Sequence, residues 1–174
     1  AAWAEHQYHD LLLRSPEAEP ARRYLEQRQI TAESVEKFHL GFSPLNGDWL
    51  LDQAGGTPER AKILETIGIL TRSAAGSRLF DRFRGRVLFS IRDAQNRPIA
   101  LSGRLLPDVN INSPAKYVNS RETPLFTKNQ QLYGLDVARE AIRKSHTALV
   151  MEGYTDVIVA HQHGFDNVVA VMGT

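Results

Sequence analysis

The chain has 174 residues, of which 42% are hydrophobic and 24% charged, with six histidines and no cysteine. That length allows one domain with a sizeable core or two small subdomains. The absence of cysteine excludes disulfides and thiolate metal sites, and no apolar run approaches the roughly 20 residues of a membrane helix. The net charge is only +1, yet residues 76–104 hold seven arginines against Asp81 and Asp93, a local net of +5, while residues 1–75 stand at −3 and residues 105–174 at −1. A basic stretch of that density points to an anionic partner, whatever the sum over the chain. No signal-peptide pattern opens the sequence, so the expected location is the cytoplasm, with no membrane contact.

In chain order, residues 3–14 and 17–29 read as helices, the second opened by Ser15-Pro16-Glu17 with serine as cap and proline at the first position. A short third helix begins at a Thr31 cap and runs through Val35 and Phe38. Gly41, Pro44, Asn46 and Gly47 mark a loop, and helices are expected again over 48–54 and 58–66. The periodicity then changes. Between 83 and 91 the odd positions Phe83, Val87, Phe89 and Ile91 are apolar, whereas Arg82, Arg84 and Arg86 occupy even ones, the period-2 pattern of a half-buried strand. A turn at 93–96 and a second strand over 97–105 complete a hairpin with arginines on one face, and Arg104 has the same even parity. Three arginines close together without an interspersed acid repel one another unless an anion lies over them, and phosphate is the natural anion.

Residues 107–115, rich in Pro, Asp and Asn, read as an exposed loop, followed by a helix over 135–145 with Asp136 as a possible cap. Then come a strand at 147–151, a helix at 156–163 closed by Gly164 and a strand at 167–172, which together form a right-handed parallel βαβ unit. In such sheets ligands gather beyond the carboxyl ends of the strands, and Glu152 stands at that end. Gly153 lets the chain turn, and Asp156 is placed to cap the next helix. His161 and His163 lie two apart on that helix and diverge, which is the wrong spacing for metal ligands. The fold class is therefore α+β, with an N-terminal unit over 1–145 (helices within 3–72, the basic hairpin 78–105, loop and helix 107–145) and the first βαβ of an incomplete α/β domain over 146–174.

Four segments carry a family resemblance: Asp81-Arg82-Phe83-Arg84-Gly85-Arg86-Val87-Leu88-Phe89, Ser102-Gly103-Arg104, Ser113-Pro114-Ala115-Lys116-Tyr117-Val118-Asn119-Ser120-Arg121-Glu122-Thr123-Pro124, and Glu152-Gly153-Tyr154-Thr155-Asp156. Their order and spacing resemble the RNA polymerase domain of bacterial DnaG-type DNA primases, running into the start of the Toprim fold. The resemblance implies synthesis of short RNA primers on single-stranded DNA from NTPs. It also implies catalytic roles for Glu152 and Asp156, with Glu152 one ligand of a partial Mg2+ or Mn2+ site, and nucleic-acid or nucleotide contacts by Arg82, Arg84, Arg86, Arg104, Lys116, Tyr117 and Lys128. Partners implied are the template, the RNA–DNA hybrid, NTPs and, through a C-terminal domain absent here, the replicative helicase. Zinc belongs to a separate N-terminal domain, also absent.

Toprim proteins carry further metal-binding aspartates, including an Asp-X-Asp motif, that this sequence lacks. Glu152 alone leaves too few ligands for a tight magnesium site, so the fragment is expected to be inactive, and the apolar segment 168–172 is expected to lie in a sheet missing its other strands. Asp156 remains open between helix cap and catalytic residue. Three other classes also remain: a non-catalytic single-strand-binding module, which would keep the arginines and dispense with Glu152; a topoisomerase- or nuclease-like Toprim protein, which the Arg-Phe-Arg-Gly-Arg and Lys-Tyr-Val-Asn-Ser segments fit poorly; and a small-molecule α/β enzyme, which would need a phosphate loop or nucleophile motif that the sequence does not show.

Overall fold

A computed structural model describes residues 1–73, 76, 78–109, 111 and 115–172. The Ser113-Pro114 part of the third motif and the Asn110 and Asn112 positions of the expected loop lie outside them. The N-terminal helices form where capping and apolar spacing place them: α1 (Ala2–Arg14), a 3-10 turn at Pro16–Ala18 whose Ser15 cap accepts from the Glu17 amide, α2 (Glu19–Gln27), and α3 (Ala32–Lys37) under a Thr31 hydroxyl that accepts from the Ser34 amide. Helices α4 (Trp49–Gln53) and α5 (Pro58–Thr66) follow. Part of the expected loop after α3 is instead strand β1 (Gly41–Ser43), which pairs antiparallel with the hairpin. A small ribbon of β2 (Leu70–Arg72) and β3 (Leu79–Asp81) precedes the hairpin.

The hairpin is β4 (Arg86–Arg92) and β5 (Pro98–Leu105), extended by β6 (Tyr117–Asn119) into a sheet of order β1-β4-β5-β6. It departs from the half-buried strand pair read from periodicity, because both faces are covered. Val87, Phe89 and Ile91 enter a cluster with Tyr24, Phe38 and Tyr154. On the other face Leu88 and Leu101 join Ala4, Tyr8, Leu50 and Leu64 from α1, α4 and α5. Helix α1 also neutralises the sheet's buried charge: Arg92 meets Glu5 at 2.6 Å with both side chains about nine-tenths buried, and the Ser90 hydroxyl bonds the same carboxylate.

The C-terminal unit adds β7 (Leu132–Tyr133), α6 (Leu135–Ser145), β8 (Leu149–Met151), α7 (Tyr154–Gln162) and β9 (Val168–Val171), in sheet order β7-β9-β8 with β8 and β9 parallel. The βαβ reading holds, but β9 is the central strand, paired on both sides and buried at Val168–Ala170, so it does not lack neighbours as expected. The exposed edge is β8, where Leu149 and Val150 are 42% and 59% accessible. Asp136 does not cap α6; Gly134, in the left-handed region, stands at that position without a side-chain bond.

Contacts across residue 146 are extensive. Gln162 of α7 accepts from the Thr31 amide at 3.0 Å and donates to the Gln29 carbonyl at 2.8 Å, clasping the turn between α2 and α3. The buried His161 ring donates through Nε2 to the Val168 carbonyl and accepts from Lys37 through Nδ1, which gives both it and Lys37 a packing role.

Candidate nucleic-acid and nucleotide site

The four arginines singled out in the sequence do not share one surface. Arg82 and Arg84 precede β4, in the link from β3, where residues 82–85 leave the ladder. Arg82 is half-buried and its Nε donates to the Asn119 carbonyl at 2.8 Å, and burial lowers its pKa. Arg84 is partly exposed and lies 5.8 Å from the Phe80 ring centre. Arg86 is only 2% exposed, its guanidinium bonded to main-chain carbonyls, so the expected direct phosphate contact is corrected for this residue. The physical reason is the second covering layer: α1, α4 and α5 lie over the face that the alternation left to solvent.

Arg104 is corrected as well. The register pairs it with Val87, and directly opposed residues share a face. It therefore stands on the Phe89 side of the sheet, opposite Arg86, where parity along a single strand had grouped the two. There its guanidinium lies 5.6 Å from the Tyr24 ring and 5.5 Å from the Tyr117 ring, while Arg28 covers Tyr24 at 5.5 Å. Tyr117 in turn meets Tyr154 edge-on at 5.8 Å, and Tyr154 packs against Tyr133 at 4.6 Å. Arginine and aromatic thus alternate from α2 across the sheet to Tyr117, where ring-on-ring contacts carry the column on to the first turn of α7. Cations over aromatic faces are attracted by the ring quadrupole, and the pairing orients both the buried Arg104 and the exposed Arg28.

At the foot of the column lies a pocket of about 220 Å³ lined by Tyr117, Asn119, Lys128, Glu152, Gly153, Tyr154 and Met172. Glu152 follows the last residue of β8 and is exposed, as the strand-end argument required. Helix α7 begins at Tyr154, two residues earlier than expected, so Asp156 falls within its first turn and makes no capping bond; the cap reading is corrected. The Asp156 carboxylate instead lies over Gly153, where a Cβ would collide with it. A side chain at 153 would displace the Asp156 carboxylate from that position, whereas the backbone, with a φ of −107°, is open to any residue.

Lys116, exposed, stands just before β6, with Tyr117 39% exposed on the strand itself, so the Lys-Tyr pair lies at a sheet edge that follows the expected loop 107–115. Lys128 sits in a 3-10 turn and reaches the pocket. Sequence reasoning missed Tyr24, Arg28, Tyr154 and Asn119. The first two are spaced i, i+4 on one helix face, a signal present in the sequence but without meaning until β5 packed beside it. Among the described residues no three His, Asp or Glu side chains converge, so Glu152 and Asp156 by themselves do not fit a divalent-ion site.

Residues 8–139 match the family described as DNA primase catalytic core, N-terminal domain, and residues 146–174 match a Toprim domain. The DNA primase of Pseudomonas aeruginosa is 42% identical over 96% of this chain, which spans 24% of that relative. Among solved structures, the RNA polymerase domain of Mycobacterium tuberculosis primase DnaG, in complex with a double-stranded DNA oligomer with a 6-nucleotide overhang, superposes with a TM-score of 0.91 at 37% identity. It is covered for 53% of its length by 99% of this chain. A DnaG primase catalytic domain bound to ssDNA gives a TM-score of 0.87 at 40% identity, 99% of this chain covering 54% of it. The chain thus spans about a quarter of the curated relative and about half of the solved ones. With a family match over most of its length, it belongs to the DNA primases, of whose catalytic core it carries the N-terminal domain and the start of the Toprim domain.

Proposed function

We propose that the protein carrying this chain makes short RNA primers on single-stranded DNA from NTPs, and that this chain supplies its template-guiding surface and the first acid of its chemical site. What supports the reading is one juxtaposition: the column of Arg28, Tyr24, Arg104 and Tyr117 leads to a pocket holding Glu152 and Lys128. The exposed members of the column, Arg28 and Tyr117, suit a flexible strand, since every base offers a π-face and every nucleotide a phosphate, while the buried Arg104 and Tyr24 hold them in place. Lys128 would meet the phosphates of an incoming nucleotide. Glu152 would take the proton of the attacking hydroxyl or lend an oxygen to a metal ion.

Mg2+ or Mn2+, when bound, would neutralise triphosphate charge. Because Glu152 and Asp156 are too few to hold it, residues 1–174 alone would bind nucleic acid without making primers. Arg28, Arg84 and Lys116 are the contacts with side chains at the surface. Each phosphate contact on a single strand contributes about 0.7 to the slope of log affinity against log salt. Replacing all three by alanine should therefore reduce the slope for single-stranded DNA by about 2. An unchanged slope in the folded triple variant would place the strand elsewhere.

A further inference from the structure

Arg86 is the largest fully buried side chain, and its bonds run to a neighbouring surface segment. From β4 it passes under β5, where Nη1 donates to the Gly103 carbonyl at 3.0 Å, and reaches the residues leading into β6. There Nη1 donates to the Lys116 carbonyl at 3.2 Å and Nη2 to the Ala115 carbonyl at 3.0 Å. The passage is built for it. Gly103 sits directly over the side chain, and a Cβ at that position would stand 2.9 Å from Arg86 Cδ and 2.7 Å from the Phe83 ring. The strand gives up a side chain here to make room for the Arg86 stem together with the Phe83 ring and Leu88, and the guanidinium then continues to the carbonyls beyond β5.

We propose that Arg86 is a positioning residue. It holds residues 115–117 from the inner face of the sheet, so that Lys116 and Tyr117 are presented to nucleic acid, while it touches no phosphate itself. The presented target rests on the function proposed above; the holding of the segment does not. The planar fork suits the task, since one guanidinium can serve several carbonyls in fixed directions, whereas the compact ammonium of lysine cannot span the same set. Burial disfavours its charged form, and Arg104, Arg82 and Arg84 add repulsion. The carbonyl oxygens collected around it offset that cost, because a buried cation without such partners is strongly disfavoured.

The test uses the whole polypeptide that carries this chain. Hydrogen exchange of the Arg86→Met variant should show faster exchange at residues 115–119, with the unprotected region confined there. Arg86→Lys, which keeps the charge, should show the same local loosening and serves if the methionine variant does not fold. Unchanged exchange at 115–119 in the folded variant would overturn the proposal. Affinity for a fluorescent oligodeoxythymidylate then separates holding from contact. In a Lys116→Ala/Tyr117→Ala background, the Arg86 substitution should weaken binding by less than about twofold, the usual limit of additivity error. A full independent loss in that background means direct contact and also overturns the proposal. If the two alanines alone leave binding and priming unchanged, the functional reading of Lys116 and Tyr117 fails, while the exchange result still decides whether Arg86 holds the segment. Phenylglyoxal mapping of the unsubstituted protein gives a further check. Arg84 should be modified and Arg86 spared without DNA, whereas ready modification of Arg86, prevented by DNA, would overturn the assignment.

Discussion

Asp81, the first residue of the Asp-Arg-Phe-Arg-Gly-Arg segment, is fully buried at the end of β3. Its Oδ2 accepts from the Leu50 amide at 2.8 Å, closing the N-terminus of α4 from another element, and its Oδ1 has no partner among the described residues. Burial first, then the nearby Asp48 and Asp52, raises its pKa from 3.8 to about 7. A carboxyl raised in the folded state contributes stability that is fully present below its unfolded value and is lost as pH rises through the folded one. Between pH 4 and 7 that loss is at most on the order of 4 kcal/mol, from about 1.4 kcal/mol for each pH unit separating the two values. Asp81→Asn keeps an oxygen for the Leu50 amide and removes the titration. Urea unfolding of both proteins from pH 4.5 to 8 isolates the effect, since every other group is common to the two. The variant should gain on the unsubstituted protein as pH rises, by about 2 kcal/mol or more at pH 8. A stability difference that stays flat across the range would refute the reasoning.

His161 is buried between Phe38 and the Val168 carbonyl, and burial lowers its pKa below 6.5, with Lys37 adding to the effect. Its contribution to stability is therefore present above pH 6.5 and lost as pH falls through the lower folded value. An NMR titration should place the ring's midpoint below 6.5, and Lys37→Met should move it up; a midpoint at or above 6.5 counts against the packing role. Glu5→Ala leaves the buried Arg92 without its carboxylate and should cost about 3 kcal/mol in urea unfolding, as breakage of buried pairs does. A cost under about 1 kcal/mol would mean that water solvates Arg92 readily.

Local sequence carried the helices and the βαβ unit because their signals are local. Ser15 and Thr31 cap where cap residues should, and Glu152 ends its strand as the apolar run implies. The arginines were misplaced for a reason that local signals cannot supply. Alternation distinguishes the two faces of a strand, but whether the polar face meets solvent depends on α1, α4 and α5, elements distant in sequence. Parity on β4 likewise says nothing of β5 until the register is known, and the register sets Arg104 opposite Val87. The aromatic column escaped for the same cause, since Tyr24, Arg104 and Tyr117 come from three separated segments that only packing unites.

The central claim is that Glu152 acts in chemistry and bears little on the fold. Its side chain is exposed at the strand end and makes no hydrogen bond among the described residues. The most direct measurement is primer synthesis from NTPs on single-stranded DNA by the whole protein carrying Glu152→Gln, alongside its DNA affinity and unfolding midpoint. Loss of a positioned acid or base costs about 100-fold or more in rate. The expected result is a loss of that size with affinity and midpoint unchanged. A primer yield near that of the unsubstituted protein would contradict the account.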